Sequence, residues 1–219
     1  MSSLDQIAET IRANFDEKNV AREMGLSLSR GVIRSSANAI RAIHRGEFDE
    51  ARRLLAAAKA DVEEAVAVLA PHPDILYAGF VQDAQKEYAE ANITYAIIAG
   101  QDLPSADDLK VGYAAYLNGL GEAAGELRRH ALDEMRHGQL ARCEQVLQAM
   151  DDIYGVLVTM DYPDAMTGGL RRTTDMVRGV LEKTRGDLTV AIRQHHLEEA
   201  LHDLEGKIGR EGTANGGGP

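Results

Sequence analysis

Four glutamates at helical spacing are the residues of this sequence with the clearest potential for chemistry. Glu87 and Glu90 are three positions apart, and Glu122 and Glu126 are four apart. These spacings place the members of each pair on one face of a helix. Two such faces that meet form an oxygen-rich site, which suits Mg²⁺ or Mn²⁺. A hard cation there activates water and stabilises the charge that develops on a phosphate under attack.

The two pairs differ in their surroundings. Glu87 and Glu90 share a helix face with apolar residues, and carboxylates are rarely buried without a partner or a metal. Glu122 and Glu126 lie opposite an apolar stripe, an arrangement also typical of an ordinary solvated surface. Three glycines interrupt their helix, where each costs about 1 kcal/mol relative to alanine. Gly119, Gly121 and Gly125 therefore predict close approach of another backbone or of a substrate.

The residues that break helices divide the chain into long helical segments. Ala, Leu, Glu and Arg dominate the composition, which predicts an all-α protein. Long helices joined by short turns favour an antiparallel bundle. The predicted helices cover about residues 4–43, 48–69, 75–99, 112–137, 140–160 and 170–204. We expect a single helical domain over residues 1–205 and a disordered, Gly-rich tail over residues 206–219.

Composition sets limits on function. The 219 residues carry a net charge of −11, one cysteine and no tryptophan. A single cysteine excludes a disulfide framework and a zinc site built on cysteines. No apolar run is long enough to span a bilayer, and residues 1–10 are acidic without an apolar core, so a cytoplasmic protein is expected. An acidic chain binds nucleic acid only through a local basic patch or a metal.

Basic residues near the first predicted helix and beside Glu126 are candidates for such a patch. Arg30 and Arg34 recur along one side of that helix, with His44 and Arg45 at its end. Arg129 lies on the helix face that carries the second pair of acids. The alternative is that these are surface arginines paired with neighbouring acids.

A second basic candidate opens the last predicted helix. Gly168 and Gly169 precede Arg171 and Arg172 there. The first turn of a helix presents free N–H groups that bind anions such as phosphate. A simple loop closure is the alternative.

Two Glu-x-x-His motifs raise a different class of function, a di-iron carboxylate bundle. They are Glu134 with His137 and Glu199 with His202. Neither histidine lies in the middle of a helix, where the core site of a bundle belongs. This stays a remote alternative.

Several segments, in the same order and spacing, resemble the translin superfamily over about residues 21–193. No single motif is decisive, but together they are specific. Glu87-Tyr88-Ala89-Glu90 is similar to the acidic E-Y-x-E motif of the superfamily's catalytic branch. The other segments are LSR at 28–30, RAIHRG at 41–46, YLNGLGEAAGELRR at 116–129, MDYPDAMTGGLRR at 160–172 and RGD at 185–187.

The resemblance implies a bundle of six to seven helices whose subunits form a barrel-like homo-octamer. It implies Mg²⁺-dependent endonuclease activity on single-stranded RNA, with Glu87, Glu90, Glu122 and Glu126 as the catalytic, metal-binding acids. The position that matches Glu122 is usually Asp in the catalytic branch, which leaves the ligand geometry there less certain. It also marks Arg30, His44 and Arg45 as signature positions near the substrate.

Two functions from the same superfamily therefore stand side by side. One is a metal-dependent endoribonuclease, and the other is a non-catalytic protein that binds single-stranded RNA, with single-stranded DNA as a further candidate ligand. A substitution such as Glu126→Ala separates them, because the first function predicts that cleavage is lost while binding is retained.

Overall fold

The computed structural model describes the backbone of residues 3–214 and the side chains of residues 3–207. Over this range the protein consists of helices joined by turns and loops, with no strand. Six helices are long and three have a single turn. They are α1 (Ser3–His44), α2 (Phe48–Leu69), α3 (Pro73–Leu76), α4 (Gly79–Ala99), α5 (Ala106–Leu109), α6 (Tyr113–Arg136), α7 (Leu140–Leu157), α8 (Asp164–Thr167) and α9 (Leu170–Ala214).

The all-α prediction is confirmed, and the main differences lie at helix boundaries. The helix predicted over 75–99 is two helices, because the chain is extended at Ala78 between α3 and α4. The loop before α6 contains the one-turn helix α5, and the loop between α7 and α9 contains the one-turn helix α8. The last helix runs to Ala214 and not to about residue 204, so the first part of the predicted tail, 206–214, has helical backbone. Residues 215–219 of that tail lie outside the described residues.

The two central helices are α4 and α6, which pack against each other. On one side α4 contacts α1 and α2, and on the other side α6 contacts α7 and α9. Burial follows from the sequence: α4 is apolar nearly all round, and its Tyr88, Ala89 and Ile93 are almost fully buried. The acids of α4 and α6 therefore lie on the helix pair at the centre of the bundle.

Two glycines of α6 permit this close packing. A Cβ on Gly119 would lie 2.6 Å from the carbonyl oxygen of Lys86 and 3.0 Å from the backbone nitrogen of Glu90. A Cβ on Gly121 would collide with the side chain of Thr173 on α9. A Cβ on Gly125 would have no neighbouring atom within 4 Å. The predicted close approach of another backbone thus holds at Gly119, where the neighbour is the backbone of α4, whereas at Gly121 the close neighbours are side chains.

We expect opposite effects from alanine at Gly119 and at Gly125. Gly119→Ala forces α4 and α6 apart, and overpacking of this kind costs about 1–3 kcal/mol, more than the roughly 1 kcal/mol that helix propensity returns. Gly125→Ala has open space and raises the free energy of unfolding by up to about 1 kcal/mol. Urea unfolding followed by circular dichroism measures both. A Gly119→Ala variant as stable as the Gly125→Ala variant would contradict the close contact.

Across the described part of the chain, no helix combines the length and the apolar character that crossing a membrane requires.

Candidate metal and nucleic-acid site

The contact between α4 and α6 brings three of the four predicted acids together. One carboxylate oxygen from each of Glu87, Glu90 and Glu122 lies within 4.8 Å of the others. The Glu90 residue is only 9% exposed, whereas Glu87 and Glu122 are half-buried. Gly119, one turn before Glu122, is what allows the helices to approach to this distance. A set of three carboxylates is a hard, anionic donor group, which fits Mg²⁺ or Mn²⁺.

Lys86 supplies a positive charge inside this cluster. Its Nζ donates to Oε1 of Glu122 at 2.8 Å and lies 4.0 Å from Oε1 of Glu87. Burial lowers the pKa of Lys86, but the hydrogen bond and the charges of Glu122 and Glu87 outweigh burial and raise it overall. Lys86 therefore stays charged and partly neutralises the three carboxylates.

The carboxylates nevertheless disfavour one another. Burial raises the pKa of Glu90 to about 8, with added repulsion from Glu87, Glu122 and Glu126. Burial also raises the pKa of Glu87, and the charge of Glu122 adds to that effect, while Lys86 opposes it. Strongly perturbed acids that share a buried cluster are typical of functional sites. At neutral pH the cluster holds a proton on Glu90 that a cation must displace.

Glu126, the fourth predicted acid, is held by a different partner. Nε2 of His44, at the end of α1, lies 2.5 Å from Oε2 of Glu126. This hydrogen bond lowers the pKa of Glu126, against the opposing effect of burial. Glu126 is therefore ionised at neutral pH. It lies close enough to Glu90 to raise the pKa of that residue, although it is outside the group of three carboxylates.

His44, a predicted contact to nucleic acid, lies inside the fold. Its side chain is only 4% exposed, and its Nδ1 is buried without a hydrogen-bond partner among the described residues. This placement suits a residue that positions Glu126 and does not suit direct contact with a nucleic acid. The hydrogen bond between His44 and Glu126 could not be predicted, because the two residues are 82 positions apart in the chain.

A cleft of about 1160 Å³ opens beside the carboxylate cluster. Lys86 and Glu122 line it at the cluster, and Arg171 and Arg172 line it at the start of α9. The turn at Gly168 and Gly169, both with positive φ, forms part of the same wall. The predicted anion-binding turn and the acidic site thus share one cleft.

Asn118 connects the helices that line this cleft through hydrogen bonds. It is 7% exposed, and its Nδ2 donates to the carbonyl oxygens of Ala114 and Thr167 at 2.9 and 2.8 Å. Its Oδ1 accepts a hydrogen bond from Oγ1 of Thr173 at 2.7 Å. These bonds tie α6 to the end of α8 and the first turn of α9. They hold the first turn of α9, which carries the exposed Arg171 and Arg172, against the part of α6 that carries Glu122.

The remaining predicted basic residues lie elsewhere on the surface. Arg30 and Arg34 are exposed on α1. Arg45 pairs with Glu47 at 2.5 Å, as the alternative reading of a surface arginine expected. Arg129 is 57% exposed at the side chain and lies 4.0 Å from Glu126, one turn away on α6. Of these four, Arg129 is the one that contacts an acid of the predicted catalytic set.

The structure offers no support for a di-iron centre. Within residues 3–207, the group of acids and histidines that could hold a metal is Glu87, Glu90 and Glu122. His137 is at the C-terminal end of α6, where its Nδ1 lies 2.7 Å from the carbonyl oxygen of Asp133. His202 is exposed on α9.

Sequence reasoning missed Lys86 and the tie made by Asn118 and Thr173. Lys86 directly precedes Glu87, so its place beside the acids was visible in the sequence, but its ion pair with α6 was not. Asn118 lies one turn before Glu122 on the same face of α6. Its partners on α8 and α9 are about 50 residues away in the chain, and no local pattern reveals them.

Comparison with known proteins places the chain in a family. No family model matches the sequence. The sequence is 33% identical to the uncharacterized protein MJ0175 of Methanocaldococcus jannaschii over 196 residues. These residues make up 89% of this chain and 86% of that protein.

Solved structures are similar over most of the fold. Those of AfC3PO, alone and in a complex with duplex RNA, are 33% and 34% identical to this chain. Each has a TM-score of 0.80 and covers 85% of this chain and 97% of its own. Apo-NeC3PO, at 21% identity and a TM-score of 0.71 over 87% of this chain and 98% of its own, is similar in fold. AfC3PO is a translin-family complex. This chain therefore belongs to the translin superfamily.

Proposed function

We propose that the protein is a Mg²⁺- or Mn²⁺-dependent endoribonuclease that acts on single-stranded RNA. The observation that carries the proposal is the group of three carboxylates within 4.8 Å, one of which, Glu122, lines the same cleft as Arg171 and Arg172. A cation site next to arginines suits the cleavage of a phosphodiester, because both stabilise the negative charge that develops on the phosphate. Arginine is suited to phosphate because its guanidinium donates two parallel hydrogen bonds.

The residues divide the work between them. Glu87, Glu90 and Glu122 would hold the cation, and when bound it would supply Lewis-acid stabilisation of the phosphate and an activated water. Glu126, ionised and oriented by His44, is the carboxylate available to accept a proton from the attacking water. Lys86, Arg171 and Arg172 offer positive charge to the phosphates of the substrate.

RNA as the substrate class is supported by the cleft and by a relative. The chain as a whole is acidic, at −11, so attraction to phosphate must be local. Three basic side chains line the cleft: Lys86, Arg171 and Arg172. Four acidic side chains line it as well, Asp83, Glu122, Asp164 and Asp175, so the attraction to phosphate comes from the two exposed arginines at the start of α9. AfC3PO, which is 34% identical to this chain over the residues compared, has been solved in a complex with duplex RNA.

Incubation of the purified protein with end-labelled RNA tests the proposal. We expect internal cleavage of a single strand in Mg²⁺ or Mn²⁺, and no cleavage when EDTA removes the metal. The same strand annealed to its complement shows whether pairing protects it. A protein that binds the single strand but never cuts it in either metal would exclude the endonuclease.

The second candidate is a binder of single-stranded RNA or DNA without catalysis. One observation favours it: the ammonium of Lys86 already hydrogen-bonds to Glu122 in the cluster that a cation would enter. If this ion pair is permanent, the site is a structural salt bridge and the cleft only binds. Binding without cleavage is the result that this second function predicts.

We further infer that the protein works as a homo-oligomer, with an octamer as the expected assembly. Large apolar side chains are exposed at helical spacing near the start of α1 and the end of α9, where nothing in the described chain covers them. They are Leu4, Ile7, Ile11 and Phe15 on α1, and Leu197, Leu201 and Leu204 on α9. Exposed apolar stripes of this kind mark contacts between chains.

A further inference from the structure

A second cavity, of about 420 Å³, adjoins the cleft and differs from it in character. Tyr113, Tyr116 and Tyr162 line it together with Met160 and Met166. None of the described side chains that line it is charged. We call it the tyrosine pocket. Its volume lies in the range of about 300–1,000 Å³ that is usual for small-ligand sites.

The tyrosine pocket and the charged cleft have a common wall. Ala114 and Met166 line both. Ala114 precedes Glu122 by eight residues on α6, which is about 12 Å along a helix. A polymer whose backbone follows the charged cleft therefore passes the mouth of an uncharged pocket close to the carboxylate cluster.

Two of the three tyrosine rings that line the pocket are exposed to solvent, and the third is half-buried. Tyr113 is 68% exposed and Tyr162 is 60% exposed. Tyr116 is held in place, because its hydroxyl donates to the carbonyl oxygen of Pro104 at 2.8 Å. Exposed aromatic rings around an apolar cavity are a feature of binding sites, because they offer apolar contact area that the fold itself leaves open to solvent.

Resting on the proposed function, we propose that the tyrosine pocket binds an unpaired base of the RNA strand whose phosphates lie in the cleft. A nucleotide joins a flat, uncharged base to an anionic phosphate. One of the two cavities is lined by charged side chains, Arg171 and Arg172 among them, and the other by none. Bases of single strands stack on tyrosine rings, whereas a base within a duplex is paired and cannot enter. The pocket therefore selects single strands.

The pocket also predicts weak preference for sequence. Its lining is almost entirely apolar, so it offers few groups that could read the edge of a base by hydrogen bonding. Stacking tolerates every base because each has a π-face. We expect the four bases to bind with similar strength, with purines favoured by their larger stacking surface.

Tyr162→Ala tests the proposal in EDTA, where no cleavage interferes. The fluorescence anisotropy of a labelled single strand should show binding about tenfold weaker than that of the unsubstituted protein, since one stacked base contributes about 1–3 kcal/mol. Tyr162→Phe keeps the ring and should bind within about twofold of the unsubstituted protein. Tyr113→Ala is a second variant, at the other exposed tyrosine of the pocket. Both tyrosines are exposed, so the fold should tolerate these changes, and thermal unfolding checks this.

Abasic strands make the test specific. Removing the base that occupies the pocket should weaken binding to the unsubstituted protein but cause no further loss with Tyr162→Ala. Duplex RNA should bind both proteins alike.

Three results would overturn the assignment while leaving the endonuclease intact. The first is that both alanine variants bind the single strand as tightly as the unsubstituted protein does. The second is that the alanine variants lose as much affinity for duplex RNA as for the single strand. The third is that the alanine variants sediment as a smaller assembly than the unsubstituted protein, which would show that a second copy of the chain fills the pocket. Failure of the unsubstituted protein to bind any RNA would overturn the proposed function and the pocket together.

Discussion

Glu90→Gln should abolish cleavage of RNA while leaving RNA binding intact. Glu90 is the most buried member of the carboxylate cluster, and its side-chain oxygen lies between α4 and α6 with those of Glu87 and Glu122. An amide cannot replace a carboxylate as an anionic ligand of Mg²⁺. Loss of metal stabilisation worth several kcal/mol lowers the rate on the order of 10³-fold. Single-turnover cleavage of a labelled strand measures the rate, and anisotropy in EDTA measures binding.

The Glu90→Gln variant should fold normally, so a loss of cleavage would report on catalysis and not on unfolding. With its pKa raised to about 8, Glu90 is about nine-tenths neutral at pH 7 without metal. Glutamine has the same shape and mimics that neutral acid. Glu64→Gln, at an exposed position on α2, is the matched control and should cut at the unsubstituted rate. Cleavage by Glu90→Gln at that same rate would remove the carboxylate cluster from the mechanism.

Metal affinity should rise steeply with pH between 6 and 8. Burial and neighbouring charges raise the pKa of Glu90 to about 8, so a cation must displace a proton below that pH. Loss of one proton makes the affinity for Mn²⁺ increase about tenfold per pH unit, and the increase levels off above pH 8. Calorimetric titration in two buffers of different ionisation enthalpy measures both the affinity and the proton released.

The stability of the metal-free protein should change in the opposite direction. The folded-state pKa of Glu90 is raised above the usual value near 4.5, so the native protein holds a proton that the unfolded chain releases. The stability that this proton supports is complete below pH 4.5 and is lost as the pH rises through about 8. Glu90→Gln should remove the contribution of Glu90 to the pH dependence of Mn²⁺ affinity and to the pH dependence of stability. Mn²⁺ affinity that is flat from pH 6 to 8 in the unsubstituted protein would contradict the buried, protonated Glu90.

Local patterns in the sequence predicted most of the fold. The helix over Phe48–Leu69 has the predicted bounds, because Gly46 precedes it and Pro71 follows it closely. Gly138 ends α6 with positive φ, as a C-terminal glycine should. The extended residue Ala78 between α3 and α4 escaped prediction, because the apolar residues continue across it without a proline.

The candidate site was less accessible to sequence reasoning. Helical spacing predicted which acids share a face, and the structure brings Glu87 and Glu90 to Glu122. The partner of Glu126 depends on how α1 packs against α6, which no local pattern encodes. Tyr113 shows the same limit: it continues the apolar stripe of α6, yet it is exposed beside the cleft and not in the core.

Crystals soaked in Mn²⁺ provide the most direct test of metal-dependent hydrolysis at this site. Diffraction near the manganese absorption edge should give an anomalous peak between α4 and α6, with oxygens of Glu87, Glu90 and Glu122 about 2.0–2.2 Å from it. Lys86 should then have left Glu122. The absence of a peak at this position, with Lys86 still hydrogen-bonded to Glu122, would show that the cluster is a salt bridge and not a metal centre.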